Sequence, residues 1–118
     1  MTSLAVTYGF TADQGATFER VLTWTNPDGT AIDLAGYTAR MKIRRRTTSQ
    51  DVVETLTTES GNITLGGAAG TITISLSDTE TAALPAEKLQ YDLELISSLG
   101  EVTRLIMGYF VVRSEMTR

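Results

Sequence analysis

Residues 15–46, GATFERVLTWTNPDGTAIDLAGYTARMKIRRR, read as two β-strands joined by a turn-rich loop. Thr17 to Trp24 alternates as a half-buried strand does, with Phe18, Leu22 and Trp24 on one side and Val21 and Thr23 on the other. Asn26-Pro27-Asp28-Gly29 stops that strand, because Pro presets φ and Gly supplies a positive φ. Tyr37 to Ile43 alternates again, placing Tyr37, Ala39, Met41 and Ile43 inward and Thr38, Arg40 and Lys42 outward. Neither strand offers a catalytic side chain. Such a module presents surfaces and strand edges, so the stretch predicts a small β-sandwich that binds other proteins.

The same period runs outward in both directions. Leu4 to Phe10 reads as a first, edge-like strand, and residues 11–15 as a turn. Thr47 to Asp51 is a polar loop, Val52 to Thr58 a strand rich in β-branched residues, and Ile63 to Leu65 a short strand. Gly66-Gly67-Ala68-Ala69-Gly70 is a turn, and Thr71 to Leu76 alternates cleanly with Ile72, Ile74 and Leu76 inward. Leu89 to Leu95 sets Leu89, Tyr91, Leu93 and Leu95 against Gln90, Asp92 and Glu94, and Ser97 to Gly100 forms a hairpin turn. Glu101 to Arg113 is a long strand, apolar on both faces from Leu105 to Val112, which predicts a central position with Gly108 as a candidate bulge.

One segment breaks the pattern. Ser77-Asp78-Thr79-Glu80 fits a helical capping box, and Pro85 has no N–H with which to continue the helix. A short helical turn near 78–84 is expected, crossing between sheets with Leu84 in the core. Seven or eight strands, with a turn about every ten residues, describe an antiparallel sandwich or barrel. The long helical patterns of a doubly wound fold are missing.

At 118 residues the chain is expected to form one domain, 1–118, with short arms at 1–10 and 114–118. Its 42% hydrophobic and 20% charged content suits a globular protein rather than a disordered one. No cysteine means no disulfide and no thiolate zinc site. No run approaches the roughly 18 apolar residues of a membrane span, so no membrane partner is expected. Met1-Thr2-Ser3-Leu4 lacks the basic and apolar regions of a signal peptide, which points to synthesis in a cytoplasm. A net charge of −4 and a pI near 4.7 argue against nucleic acid as a partner.

Catalysis is poorly supplied. Without His or Cys, the commonest general base and the thiol nucleophile are absent. Asp92 and Glu94 share one strand face about 7 Å apart, a spacing that could suit glycoside chemistry, but alternating acids also serve solubility. Lys88 and Arg104 are the expected structural partners of those acids. Asp28-Gly29 followed by Asp33 lacks the spacing of a calcium loop, and the glycine-rich turn at 66–70 lacks the Lys-Ser/Thr and helix of a phosphate loop. No metal and no cofactor is expected.

The candidate contacts are therefore protein interfaces. Arg40, Lys42, Arg44 and Arg46 would share one strand face as a basic ridge on an acidic body. That ridge reads as a solvated face discouraging edge pairing, as a dock for an acidic subunit, or as a phosphate contact, though no aromatics are interleaved to stack bases. Trp24, Phe18, Tyr37, Tyr91 and Phe110 fall on inward phases and are assigned to the core. Tyr8 and Phe10, flanking Gly9, are the candidates for insertion into a neighbouring protein.

Two passages carry a resemblance. Residues 28–44, DGTAIDLAGYTARMKIR, and residues 70–95, GTITISLSDTETAALPAEKLQYDLEL, resemble segments of small bacteriophage virion proteins. They are similar to the N-terminal domain of phage baseplate upper proteins. The resemblance implies an immunoglobulin-like β-sandwich, located in the virion and non-enzymatic. It would act as a tail or baseplate adaptor or fibre-attachment subunit, packing in multiple copies against other virion structural proteins. A capsid head-decoration protein is the alternative within that class. A carbohydrate-binding module, with Trp24 or Tyr109 exposed, is the alternative outside it.

Overall fold

The period-two alternation is clearest in Thr38–Arg44, Thr71–Leu76 and Lys88–Ile96. The computed structural model describes residues 6–45 and 52–114. Within them the elements run β1 (Val6–Thr7), β2 (Phe10–Asp13), β3 (Phe18–Thr23), β4 (Thr38–Arg44), β5 (Val52–Thr57), β6 (Ile63–Leu65), β7 (Thr71–Leu76), α1 (Asp78–Ala82), β8 (Lys88–Ile96) and β9 (Val102–Arg113). The larger sheet has the order β1-β9-β8-β4-β5, with β2 also on β9, and the smaller sheet has the order β3-β7-β6. This is an all-β, immunoglobulin-like sandwich, with three strands facing a sheet of five positions. All pairings are antiparallel except those of β1 and β2, which run parallel to β9.

Burial follows the inward phase. Met41, Ile43, Leu56, Ile72, Ile74, Leu89, Leu93 and Leu95 are fully buried between the sheets. Phe10, Phe18, Tyr91 and Phe110 form an aromatic knot at one end, with Phe10–Tyr91 centroids 5.1 Å apart and Phe18–Phe110 centroids 5.3 Å apart. Trp24 and Tyr37 are only half-buried, packed against the rim of this core.

The crossover from β7 to β8 is the expected capped turn. Ser77 Oγ accepts from Glu80 N at 3.1 Å, and the Glu80 carboxylate accepts from Ser77 N at 2.8 Å. The Ser77 backbone N–H, with Asn62 behind it, holds the Glu80 carboxyl below its ordinary range. Leu84 is buried at the end of the turn, and Thr81, wholly buried, accepts from Gly15 N and donates to Ala16 O at 2.8 Å. The helical turn therefore fixes the bend between β2 and β3.

Two local expectations change. Residues 11–13 are strand rather than turn, because β2 continues along β9 to Asp13 and the chain bends at Gln14–Ala16. Gly108 is not a bulge. The register slips where Leu93 faces Ile106 and Glu94 faces Arg104, so Leu105 is the extra residue, and Leu105 and Ile106 are consecutively buried. Gly108 instead faces Tyr91, and a Cβ there would collide with the backbone of Tyr8. The Tyr8 carbonyl lies in the vacated space and accepts from the Tyr91 hydroxyl at 2.6 Å. Burial pushes the Tyr91 phenol well above its usual range, keeping it a donor.

Gly108→Ala is accordingly expected to lower unfolding free energy by about 1–3 kcal/mol through overpacking. Gly61→Ala, where a Cβ meets open space, is the control for backbone strain alone. Urea denaturation checks this, and equal losses in the two variants would contradict the close approach.

Candidate functional site

The outward phase of the larger sheet concentrates charge. Lys42 faces Asp92 and Arg40 faces Glu94 across the β4–β8 ladder, while Arg44 faces Gln90. Cross-strand partners share a face, so β4 contributes a basic strip and β8 an acidic strip beside it. Arg40 Nε donates to Glu94 Oε1 at 2.8 Å, and Arg104 from β9 lies 3.6 Å from Asp92. Further along β9 the same face carries Met107, Tyr109 and Val111, opposite Asp92, Gln90 and Lys88. Tyr109 is 47% exposed, and the Lys88 ammonium sits 4.0 Å from its ring centroid. Val52, exposed on β5, extends the face beside Arg44.

The structure thus brings Arg40, Lys42 and Arg44 together on one face, while Arg46 lies outside the described residues. The ridge does not guard an edge, because β4 sits between β5 and β8. Phe10 is 2% exposed in the aromatic knot and has no surface to insert elsewhere. Tyr8 remains 45% exposed, its ring edge-on to Phe10 at 5.1 Å. The stretch 1–10 is, in its described part, sheet: residues 6–13 run along β9, broken only at Tyr8 and Gly9. Of the stretch 114–118, only Ser114 is described.

The paired acids do not converge on a cleft. Asp92 lines a shallow groove of about 140 Å³ with Lys42, Arg44 and Arg104, and Glu94 is not part of it. Arg104 is the partner that the sequence predicted, whereas Lys88 covers Tyr109 instead. Asp28 closes its own turn by accepting from the Thr30 N–H at 2.9 Å and the Thr30 hydroxyl at 2.7 Å, and those bonds hold its carboxyl below its ordinary range. Exposed Asp13 is likewise lowered by its hydrogen bond to Arg113. Among the described residues no group of three His, Cys, Asp or Glu could hold a metal ion, and no helix is long and apolar enough to cross a membrane.

A second concavity opens at one end of the sandwich, between the β3–β4 loop and the β8–β9 hairpin. Trp24, Ile32 and Tyr37 wall it, with Asp33 and Glu101 among its polar residues. The sequence marked Trp24 and Tyr37 as core. Their place at the end of the strands, where the sheets part into loops, leaves them half-open.

No protein-family model matches the chain, and no curated protein matches it. Solved structures with a similar course exist. One is an extracellular domain of the voltage-gated sodium channel beta4 subunit, described as a parallel homodimer with a role in cell–cell adhesion; it is 14% identical, with 98% of each chain covered and a TM-score of 0.47. Another comes from work on multimeric cell-adhesive interactions of such channel beta subunits, at 16% identity, 95% and 96% coverage and a TM-score of 0.48.

These findings correct the bacteriophage reading. The two structures named come from voltage-gated sodium channel beta subunits, not from virion proteins, and the assignment to a phage tail, baseplate or capsid and the virion location are both withdrawn. The motifs behind that reading, the Asp-Leu-x-Gly turn and the capped helix before Tyr91, are local devices of a sandwich. The carbohydrate-binding alternative asked for Trp24 or Tyr109 exposed: Trp24 is half-buried, and Lys88 lies over the partly exposed Tyr109 ring.

The Arg40–Glu94 contact is testable by itself. Arg40→Glu is expected to destabilise by up to about 1 kcal/mol, with the swap Arg40→Glu/Glu94→Arg restoring most of the loss. A thermal-denaturation cycle without coupling would show the pair to be incidental.

Proposed function

We propose that this protein is a non-enzymatic protein-interaction module that associates with a second copy of itself through the outer face of its larger sheet. The observation that carries this reading is the basic strip on β4 lying directly beside the acidic strip on β8. A two-fold axis running along the strands between β4 and β8 would lay Arg40 and Lys42 of one copy over Asp92 and Glu94 of the other. Such a surface is self-complementary, as an isologous interface requires.

The charges set register rather than supply most of the affinity. Exchanging an intramolecular Arg40–Glu94 pair for an intermolecular one is close to neutral, so the driving force falls to Met107, Tyr109, Val111 and Val52. Five strands about 4.8 Å apart make a face about 20 Å wide, which places the interface at the small end of specific contacts. Association is therefore weak, with Kd on the order of 10 µM to 1 mM.

Sedimentation equilibrium tests the reading. The wild-type chain is expected to self-associate, and Arg40→Glu/Lys42→Glu and Asp92→Lys/Glu94→Lys are each expected to be monomeric. Mixing the two variants is expected to restore a dimer, in a salt-dependent way. A monomer at every concentration, or variants that dimerise unchanged, would overturn it.

A further inference from the structure

The concavity between the β3–β4 loop and the β8–β9 hairpin belongs to neither the charged face nor the core. Its volume of about 510 Å³ suits a side chain or a small organic molecule. Trp24 and Tyr37 supply aromatic lining, Ile32 and the half-exposed Val102 apolar lining, and Asp33 and Glu101 carboxylates. The described residues lining it include no Lys and no Arg, although the chain carries ten such residues.

The backbone around the opening is hydrogen-bonded on both sides. Trp24 N donates to Gly70 O at 2.9 Å, Ile32 N to Trp24 O at 2.9 Å, and Tyr37 N to Leu34 O at 3.0 Å. Gly70, at φ +69°, lets three backbone segments meet there: a Cβ on it would stand 2.8 Å from Trp24 O and 3.0 Å from Ile32 O. On the other side Ser97 N donates to Glu101 O at 2.8 Å, and Ser97 Oγ accepts from Glu101 N at 3.1 Å. Asp33 spends one carboxylate oxygen on Ala35 N at 2.9 Å and keeps the other. No hydrogen bond joins Glu101's carboxylate, Tyr37's hydroxyl or Trp24's indole N–H to another described residue.

We infer that this opening is a binding site for an organic cation, an alkylammonium or guanidinium group on an apolar stem. Aromatic faces attract a cation by their quadrupole, the carboxylates add charge, and the aliphatic side chains of Ile32 and Val102 offer contact for the stem. The hydrogen-bonded backbone lowers the ordering cost that a site built on loose loops would carry. An anion finds two negative charges there, and an uncharged apolar group leaves both unpaired.

Trp24 is the sole tryptophan, so intrinsic fluorescence of the full chain reports on the site directly. Titration with capped lysine methylamide, capped arginine methylamide and choline is expected to give saturable changes at about 1–10 mM. Capped norleucine methylamide at equal ionic strength is expected to bind at least about tenfold more weakly. Asp33→Asn/Glu101→Gln keeps the acceptor for Ala35 N and is expected to lose at least about tenfold in cation affinity with its melting temperature held. Tighter binding of choline assigns the opening to a free quaternary amine, and tighter binding of a capped residue assigns it to a side chain of a partner protein. Either order upholds a cation site. Absence of saturation, equal binding of norleucine, or an unchanged double variant overturns it.

Discussion

The alternation along β8, held between β4 and β9, is the constraint from which the rest follows. Its inward residues, Leu89, Tyr91, Leu93 and Leu95, are buried, and its outward residues, Gln90, Asp92 and Glu94, form the middle of the charged face. A slip of one residue would exchange the two sets, exposing four large side chains whose burial is worth roughly 1.5–3 kcal/mol each. Core and face are therefore one decision. The hydrophobic effect sets the register of β8, and that register places Asp92 opposite Lys42 and Glu94 opposite Arg40.

The first strand depends on the same register. Tyr91 faces Gly108, and the missing side chain at 108 admits the Tyr8 backbone, whose carbonyl takes the Tyr91 proton. Phe10 then enters the aromatic knot and β2 runs on to Asp13, where Arg113 donates Nε to Asp13 Oδ1 at 2.6 Å. The buried phenol would otherwise lack an acceptor, at a cost of about 1–3 kcal/mol. With no cysteine to link the two sheets, the capped turn over Gln14–Ala16 helps tie them, while the Tyr8–Tyr91 interlock fastens the first strands within the larger sheet. Gln14 adds its side-chain amide to Leu84 O at 2.7 Å.

Much of this was legible in the sequence. Period two in Thr71–Leu76 and Leu89–Leu95 named the buried residues, and the Ser77–Glu80 spacing named the cap. Gly108 was legible as a special position but not as what it is, because a bulge and a close approach of backbone leave the same mark. The true slip at Leu105 was hidden: Leu105 and Ile106 read as a strand buried on both faces, which two consecutive buried residues at a bulge imitate. Phe10 looked free because its strand was expected to end there, and only the parallel pairing with β9 carries it inward. The basic ridge was visible as Arg40, Lys42 and Arg44, but its meaning lay in which strand came to rest beside it. The end concavity left no local signal, since Trp24 and Glu101 are brought together by two loops distant in sequence.

The two surfaces differ in kind. The outer face is of mixed sign and carries only a shallow groove, suited to a second copy of itself. The end concavity is small, aromatic and negative, suited to one group. Both follow from where the strand register and the end loops place these side chains.

The face carries the central claim, and amide hydrogen exchange measured at low and high protein concentration tests it most directly. Association through the face predicts that exchange slows with concentration along β4, β8 and β9, while the β3-β7-β6 sheet is unaffected. Slowing confined to β3 or β6, or none at any concentration, would contradict the account.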